Sequence, residues 1–170
     1  MGGISRNELK EFSALFGGLS GDELKQVANI VNHKEYEAGV VIIAEGETGS
    51  ELYLLADGVV DVSRTLTIVT AKHEFGTKER SFSRLSGADR VSFGELGLIG
   101  RGERTATVKA VTKCSLFTLS SEDFLTLAKS NPNIGYVVVS NIASMLAAYL
   151  RKTNDDVIKL TTALSLALSG

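Results

Sequence analysis

One cysteine, one proline and no tryptophan occur in 170 residues, and histidine appears only as His33 and His73. The lone Cys114 excludes an internal disulfide and denies the chain the clustered thiols of a structural zinc site; a reducing, cytoplasmic setting fits it best. Neither histidine has ligand spacing, so no metal centre is expected, and both read as solvent-facing strand and loop residues. No nucleophile, base and acid form a recognisable set, which speaks against an enzyme. Charge of one sign is lacking as well: 18 basic against 20 acidic residues leave a formal −2, with no overall field for nucleic acid or an anionic membrane. An anion site must therefore be local. Met1 to Lys10 carries charges where a signal peptide needs an apolar core, and no apolar run approaches the ~20 residues of a membrane span.

What is present is a 44% hydrophobic chain, enough to enclose one sizeable core. Three zones divide it. Residues 1–32 form an N-terminal helical segment: Leu9, Phe12, Leu15 and Phe16 share one helical face that Gly17-Gly18 ends, and Ser20 with Glu23 caps a second helix carrying Leu24, Val27 and Ile30. Residues 33–120 change to short β-branched runs broken by glycine, at Val40–Ala44, Leu52–Ala56, Val59–Ile68, Thr105–Ala110 and Lys113–Leu119, the spacing of a β-roll or barrel. Residues 121–170 return to helix, with Ser120 and Asp123 as a capping pair and Pro132 at the first position of a helix that nothing stops before Leu168. The fold class expected is mainly β with flanking helices, a jelly-roll-like β-roll with N-terminal helices and a long C-terminal one. Val139, Ala143, Leu146, Leu150, Val157, Leu160, Leu164 and Ala167 keep heptad spacing along that helix, interrupted by Thr153. Such a seam suits a parallel homodimer, or else the helix folds back onto its own β-roll.

The chemistry lies between Phe93 and Val108. Gly94, Gly97, Gly100 and Gly102 let a short turn expose its N–H groups as an anion nest. Arg104 stands at the entrance to the next strand, where its planar fork suits a phosphate, and Glu95 suits a sugar hydroxyl. Alternatively the two pair with each other and the glycines serve ordinary turns.

Phe93-Gly94-Glu95-Leu96-Gly97-Leu98 followed by Arg104-Thr105-Ala106-Thr107 resembles the phosphate-binding cassette of the cyclic-nucleotide-binding family, of the catabolite-activator and kinase regulatory-subunit type. Upstream, Glu45-Gly46-Glu47-Thr48-Gly49-Ser50-Glu51-Leu52-Tyr53 through Gly58 is similar to that family's Gly-Glu-x-Gly-Asp turn, strand and closing glycine. The resemblance runs from about Phe12 to Leu160. It implies cAMP or cGMP as ligand and no other cofactor. Arg104 would take the cyclic phosphate, Glu95 the ribose 2′-hydroxyl, and backbone around Phe93, Gly94, Leu96, Gly97 and Ala106 the rest of the sugar-phosphate. Thr105 would meet a phosphate oxygen or a base edge. Leu150-Arg151-Lys152-Thr153-Asn154 resembles the stretch of dimeric bacterial regulators in which a threonine contacts adenine, so Thr153 would read the base and tilt the choice to cAMP. A catabolite-activator-type regulator would carry a helix-turn-helix after the long helix, and the sequence reaches Gly170 without one; no nucleic-acid partner is expected. The regulated target would be a separate, unknown protein. The rival reading is a fold of this family that binds no ligand and serves dimerisation or docking. Two departures stand out: the region 64–92 is longer than the usual hairpin, with His73–Lys78 expected at its tip, and Gly87-Ala88-Asp89 lies farther upstream of Phe93 than relatives place Gly-Asp.

Overall fold

The computed structural model describes residues 4–69, 75–100 and 102–168, and their side chains apart from those of 66–69 and 75–80. Three short helices come first: α1 (Arg6–Glu11), α2 (Ser13–Phe16) and α3 (Gly21–Ala28). The helix expected across Leu9–Phe16 is broken at Phe12, whose ψ of 52° leaves the helical region. The apolar face survives the break, since Leu9, Phe12, Leu15 and Phe16 are all buried in one cluster. Ser20 and Glu23 cap α3 reciprocally, and Ser5 with Glu8 does the same for α1.

Eight strands follow, in two antiparallel four-stranded sheets. The first orders β1 (Asn32–Tyr36), β8 (Cys114–Ser120), β3 (Glu51–Asp57) and β6 (Ser92–Phe93); the second orders β2 (Val41–Ile43), β7 (Thr107–Ala110), β4 (Val59–Val69) and β5 (Phe75–Ser86). The first sheet is covered on both faces. Leu52, Leu54, Phe117 and Leu119 pack against the helices, while Tyr53, Leu55, Cys114 and Leu116 face Val60, Val108 and Ala110 of the second sheet. Double coverage is why the middle of β3 reads as an unbroken apolar run and not as an alternation. Burying each such leucine contributes roughly 1.5–3 kcal/mol.

The long hairpin is paired along its whole described length, from Val59↔Ser86 to Val69↔Phe75, with one register shift between Val62 and Ser63. Phe75–Lys78, expected at the tip, is instead paired with Leu66–Val69, and the rest of that expectation, His73 and Glu74, lies outside the described residues. Gly87–Asp89 forms a 3₁₀ turn after β5. There Arg90, in the left-handed region at φ 49°, donates to Ala56 O and pairs with Glu11. The extra residues ahead of Phe93 thus fasten the chain to β3 and α1.

A short helix α4 (Glu95–Ile99) separates β6 from β7, and α5 (Ser121–Ser130) and α6 (Pro132–Leu168) end the described chain. Ser120 caps α5 by accepting from Asp123 N. At 37 residues α6 is about 55 Å long. Contrary to the expectation from apolar runs, it is by length and composition able to cross a membrane. Its first half is nevertheless built into the core: Ile134, Val138 and Ile142 have no exposed surface, and Asn141 Nδ2 donates to Leu15 O and Gly17 O at 2.9 Å each. From Ala148 to Leu168 every residue is exposed.

Candidate functional site

The two glycine-bearing segments singled out in the sequence are joined through the backbone of Arg104. Arg104 N donates to Glu47 O at 2.7 Å, and Gly46 N donates to Arg104 O at 2.9 Å. One residue away, Thr48 and Glu103 form an isolated antiparallel bridge. This pairing holds the start of the Arg104–Ala106 bend against the 45–50 turn. It fixes where the guanidinium can go.

That guanidinium is half-buried and held on several sides. Nη2 donates to Glu51 O at 2.9 Å and Nη1 to Gly94 O at 3.4 Å, while Cζ sits 5.8 Å from the centre of the Tyr53 ring. Glycine leaves it room. A Cβ at Gly49 would stand 2.4 Å from Arg104 Nε, and one at Gly97 2.6 Å from Nη1. Gly94 caps α4 with φ 80°, a conformation that costs other residues roughly 1–2 kcal/mol. It offers no side-chain acceptor to the first N–H groups of α4, which have no partner within the helix.

These residues form one end of a cavity of about 650 Å³, within the range of small-molecule sites. Phe93, Gly94, Glu95, Leu96, Gly97, Arg104, Thr105 and Ala106 all line it, so the structure brings together eight of the nine expected site residues. Ile43, Val62, Leu85, Val91 and Val108 supply an apolar wall, and Tyr149 and Lys152 of α6 reach it from the side. The alternative in which Glu95 pairs with Arg104 is not what the geometry shows: Arg104 bonds backbone carbonyls. Burial, then the Glu95 charge, pushes the Tyr149 hydroxyl above its ordinary value.

Thr153 is the ninth expected residue, and it is not part of the cavity wall. Its hydroxyl donates to Tyr149 O at 2.9 Å along the helix. At 100° per residue, position 153 lies about 70° round the helix from the face shared by 149 and 152, which turns it towards the apolar seam. Tyr149 and Lys152 were missed because the resemblance pointed to the threonine; they stand four residues and one residue before it on the helix, on the face next to its own. Tyr53 was missed although it stands in the upstream motif, because alternation along a strand does not say which sheet face meets the arginine.

With this geometry in view, the family model of the cyclic nucleotide-binding domain matches residues 33–131. The chain belongs to that family. The cyclic AMP receptor protein of Thermus thermophilus is 33% identical over 142 residues, which are 84% of this chain and 59% of that protein. The crystal structure of the Thermus thermophilus catabolite activator protein superposes with a TM-score of 0.73 at 32% identity, over 88% of this chain and 63% of that one. The regulatory domain of Toxoplasma gondii PKA, crystallised with cAMP, gives a TM-score of 0.62 at 25% identity, over 86% of this chain and 50% of that one. The chain thus spans less than two thirds of each relative's length. As a cyclic nucleotide-binding domain the chain has a regulatory binding fold.

Proposed function

We propose that this domain binds a cyclic nucleotide, cAMP in preference to cGMP, and signals by moving its C-terminal helices against a separate protein. The single observation that carries the reading is Arg104 at one end of the cavity, placed among Gly49, Gly94 and Gly97 with an apolar wall beyond. A charged fork beside a glycine-lined turn suits one cyclic phosphate, and the apolar wall suits a purine. Glu95 takes the ribose hydroxyl in this reading, and Thr105 and Ala106 close the phosphate end. The cAMP preference is supported by relatives named for that ligand or crystallised with it.

Binding would reach a partner through α6, because Tyr149 and Lys152 touch the cavity while the rest of that helix runs on into solvent. Leu150 is 62% exposed, Leu160 71% and Leu164 61%, a stripe that suits a parallel homodimer. The reading places the protein in the cytoplasm, with neither nucleic acid nor membrane as partner. A thermal-shift and calorimetric comparison of cAMP, cGMP and linear AMP tests it. Saturating cyclic nucleotide should raise the melting temperature, ligand at 100 times Kd adding about 2.7 kcal/mol. Equal stabilisation by linear AMP, or none by either cyclic nucleotide, overturns it.

A further inference from the structure

Glu51 and Tyr53 are two apart on β3 and so share a face of the strand. The Tyr53 hydroxyl donates to Glu51 Oε2 at 3.0 Å, and Lys34 of β1 donates its ammonium to Glu51 Oε1 at 2.9 Å. Each carboxylate oxygen is therefore engaged. The Tyr53 ring is fixed on its other side by stacking on Phe93, centroids 5.3 Å apart and planes 7° from parallel. That ring is the surface over which the Arg104 guanidinium lies, and Glu51 O is the carbonyl that Arg104 Nη2 donates to. One residue, Glu51, thus holds the arginine with its backbone and the arginine's aromatic support with its side chain.

We infer that Tyr53 is a positioning residue for the anion site: its ring, fixed by Glu51 and Phe93, holds the Arg104 guanidinium at the angle at which its remaining donors meet a phosphate. Lys34 completes the arrangement by engaging the Glu51 carboxylate, an anion whose field also reaches Arg104 and would otherwise compete with an incoming one. Burial works to raise the Glu51 carboxyl, but the hydrogen bonds of Lys34 and Tyr53 and the charges of Lys34 and Arg104 hold it below its ordinary value, so it stays charged at neutral pH. An aromatic face attracts a guanidinium without consuming its N–H donors, which is what a phosphate site needs from its floor. Tyr53 is not part of the cavity wall, so its effect on ligand is indirect, through Arg104 or through Phe93, and the Arg104→Lys background tells the two routes apart.

The inference rests on Arg104 being the phosphate contact, and the experiment separates the two. Affinity for cAMP is measured by calorimetry for wild type, Tyr53→Phe, Tyr53→Leu, Arg104→Lys and the double variant Tyr53→Leu/Arg104→Lys, each checked for folding by circular dichroism. Tyr53→Phe keeps the ring and should weaken binding about twofold; Tyr53→Leu removes it and should weaken binding roughly five- to tenfold. In the Arg104→Lys background the leucine substitution should cost less than twofold, because a flexible ammonium has no fork to orient. Lys34→Met should weaken binding severalfold, and Glu51→Gln added to it should restore most of the loss. A Tyr53→Leu penalty of equal size in both backgrounds, or no rescue by Glu51→Gln, overturns the positioning role. Arg104→Lys binding as tightly as wild type overturns the underlying phosphate assignment instead.

Discussion

Gly49 and Arg104 stand so close that a single added carbon cannot fit between them: a Cβ on Gly49 would lie 2.4 Å from Nε and 2.7 Å from Nη2. The obstructing atoms are the end of a flexible side chain, so the fold can yield, but only by moving the guanidinium. Gly49→Ala should therefore leave the melting temperature within a few degrees of wild type while lowering cyclic-nucleotide affinity by about tenfold or more. Paired melting and calorimetry read both. Unchanged affinity would mean that the arginine does not meet the ligand from the place it holds beside Gly49.

Arg104 itself should dominate the side-chain contribution to affinity, in the order wild type, Arg104→Lys, Arg104→Ala. Lysine keeps the charge and loses the planar fork; alanine loses both. Charge-assisted hydrogen bonds contribute about 1.5–3 kcal/mol each, so alanine should cost at least about tenfold. Glu95→Gln keeps an acceptor for the ribose hydroxyl and should cost less, and 2′-deoxy ligand should lose little more against that variant. Calorimetry on folded variants checks the series, and Arg104→Ala within about threefold of wild type would sink the phosphate assignment.

The cassette and the upstream turn were legible because both depend on residue types with few substitutes: glycine where the guanidinium passes, and one arginine to pass there. The edges of the β-roll were not. Strand β1, Asn32-His33-Lys34-Glu35-Tyr36, carries no apolar alternation because it is an edge strand, where His33 bonds Ser115 and Lys113 pairs with Glu35 at the surface. Strand β6 is two residues long and was hidden inside the cassette. The long helix was legible from Pro132 onward because no breaker follows, yet helical continuity does not reveal phase, and Thr153 was expected where Tyr149 and Lys152 stand.

Glu23 links α3 to the start of α6, accepting from Asn133 Nδ2 at 2.7 Å while capping Ser20 N at 2.8 Å. The Asn133 hydrogen bond first, then those from Ser20, hold its carboxyl below the ordinary range. A lowered folded value means that its stabilisation is present above the unfolded carboxylate range and is lost as pH falls through the folded value. Wild type should be more stable than Glu23→Ala to urea at pH 7, and the gap should close between about pH 5 and pH 2. A gap independent of pH would show that the charge contributes nothing.

The exposed apolar stripe on the second half of α6 should be covered by a second copy of the chain. Leu150→Glu or Leu164→Glu places a charge in that seam and should convert a dimer to monomer in sedimentation at micromolar concentration. Both positions are exposed within one chain, so the fold itself should be unaffected. A wild-type chain that sediments as a monomer at that concentration defeats the dimer; one that pellets with lipid vesicles would assign the stripe to a membrane.

Base preference should respond to the α6 residues on the cavity wall and not to the one on the seam. Lys152 offers three donors and no acceptor. Guanine presents two adjacent acceptors, O6 and N7, whereas adenine replaces the first with an amino donor, so an ammonium at this wall works in favour of cGMP and narrows a cAMP preference. Lys152→Met should therefore widen the cAMP-to-cGMP affinity ratio, by about three- to tenfold if one charge-assisted hydrogen bond is removed. Tyr149→Ala should weaken both nucleotides together, since an aromatic ring packs on either purine. Thr153→Val should leave the ratio within about twofold, because the residue is off the cavity wall and its hydroxyl proton is committed to Tyr149 O. Competition titration of the three variants separates these outcomes. A ratio that moves with Thr153→Val and not with Lys152→Met would return the base contact to position 153, and equal losses of cAMP and cGMP in Lys152→Met would mean that the ammonium senses the phosphate.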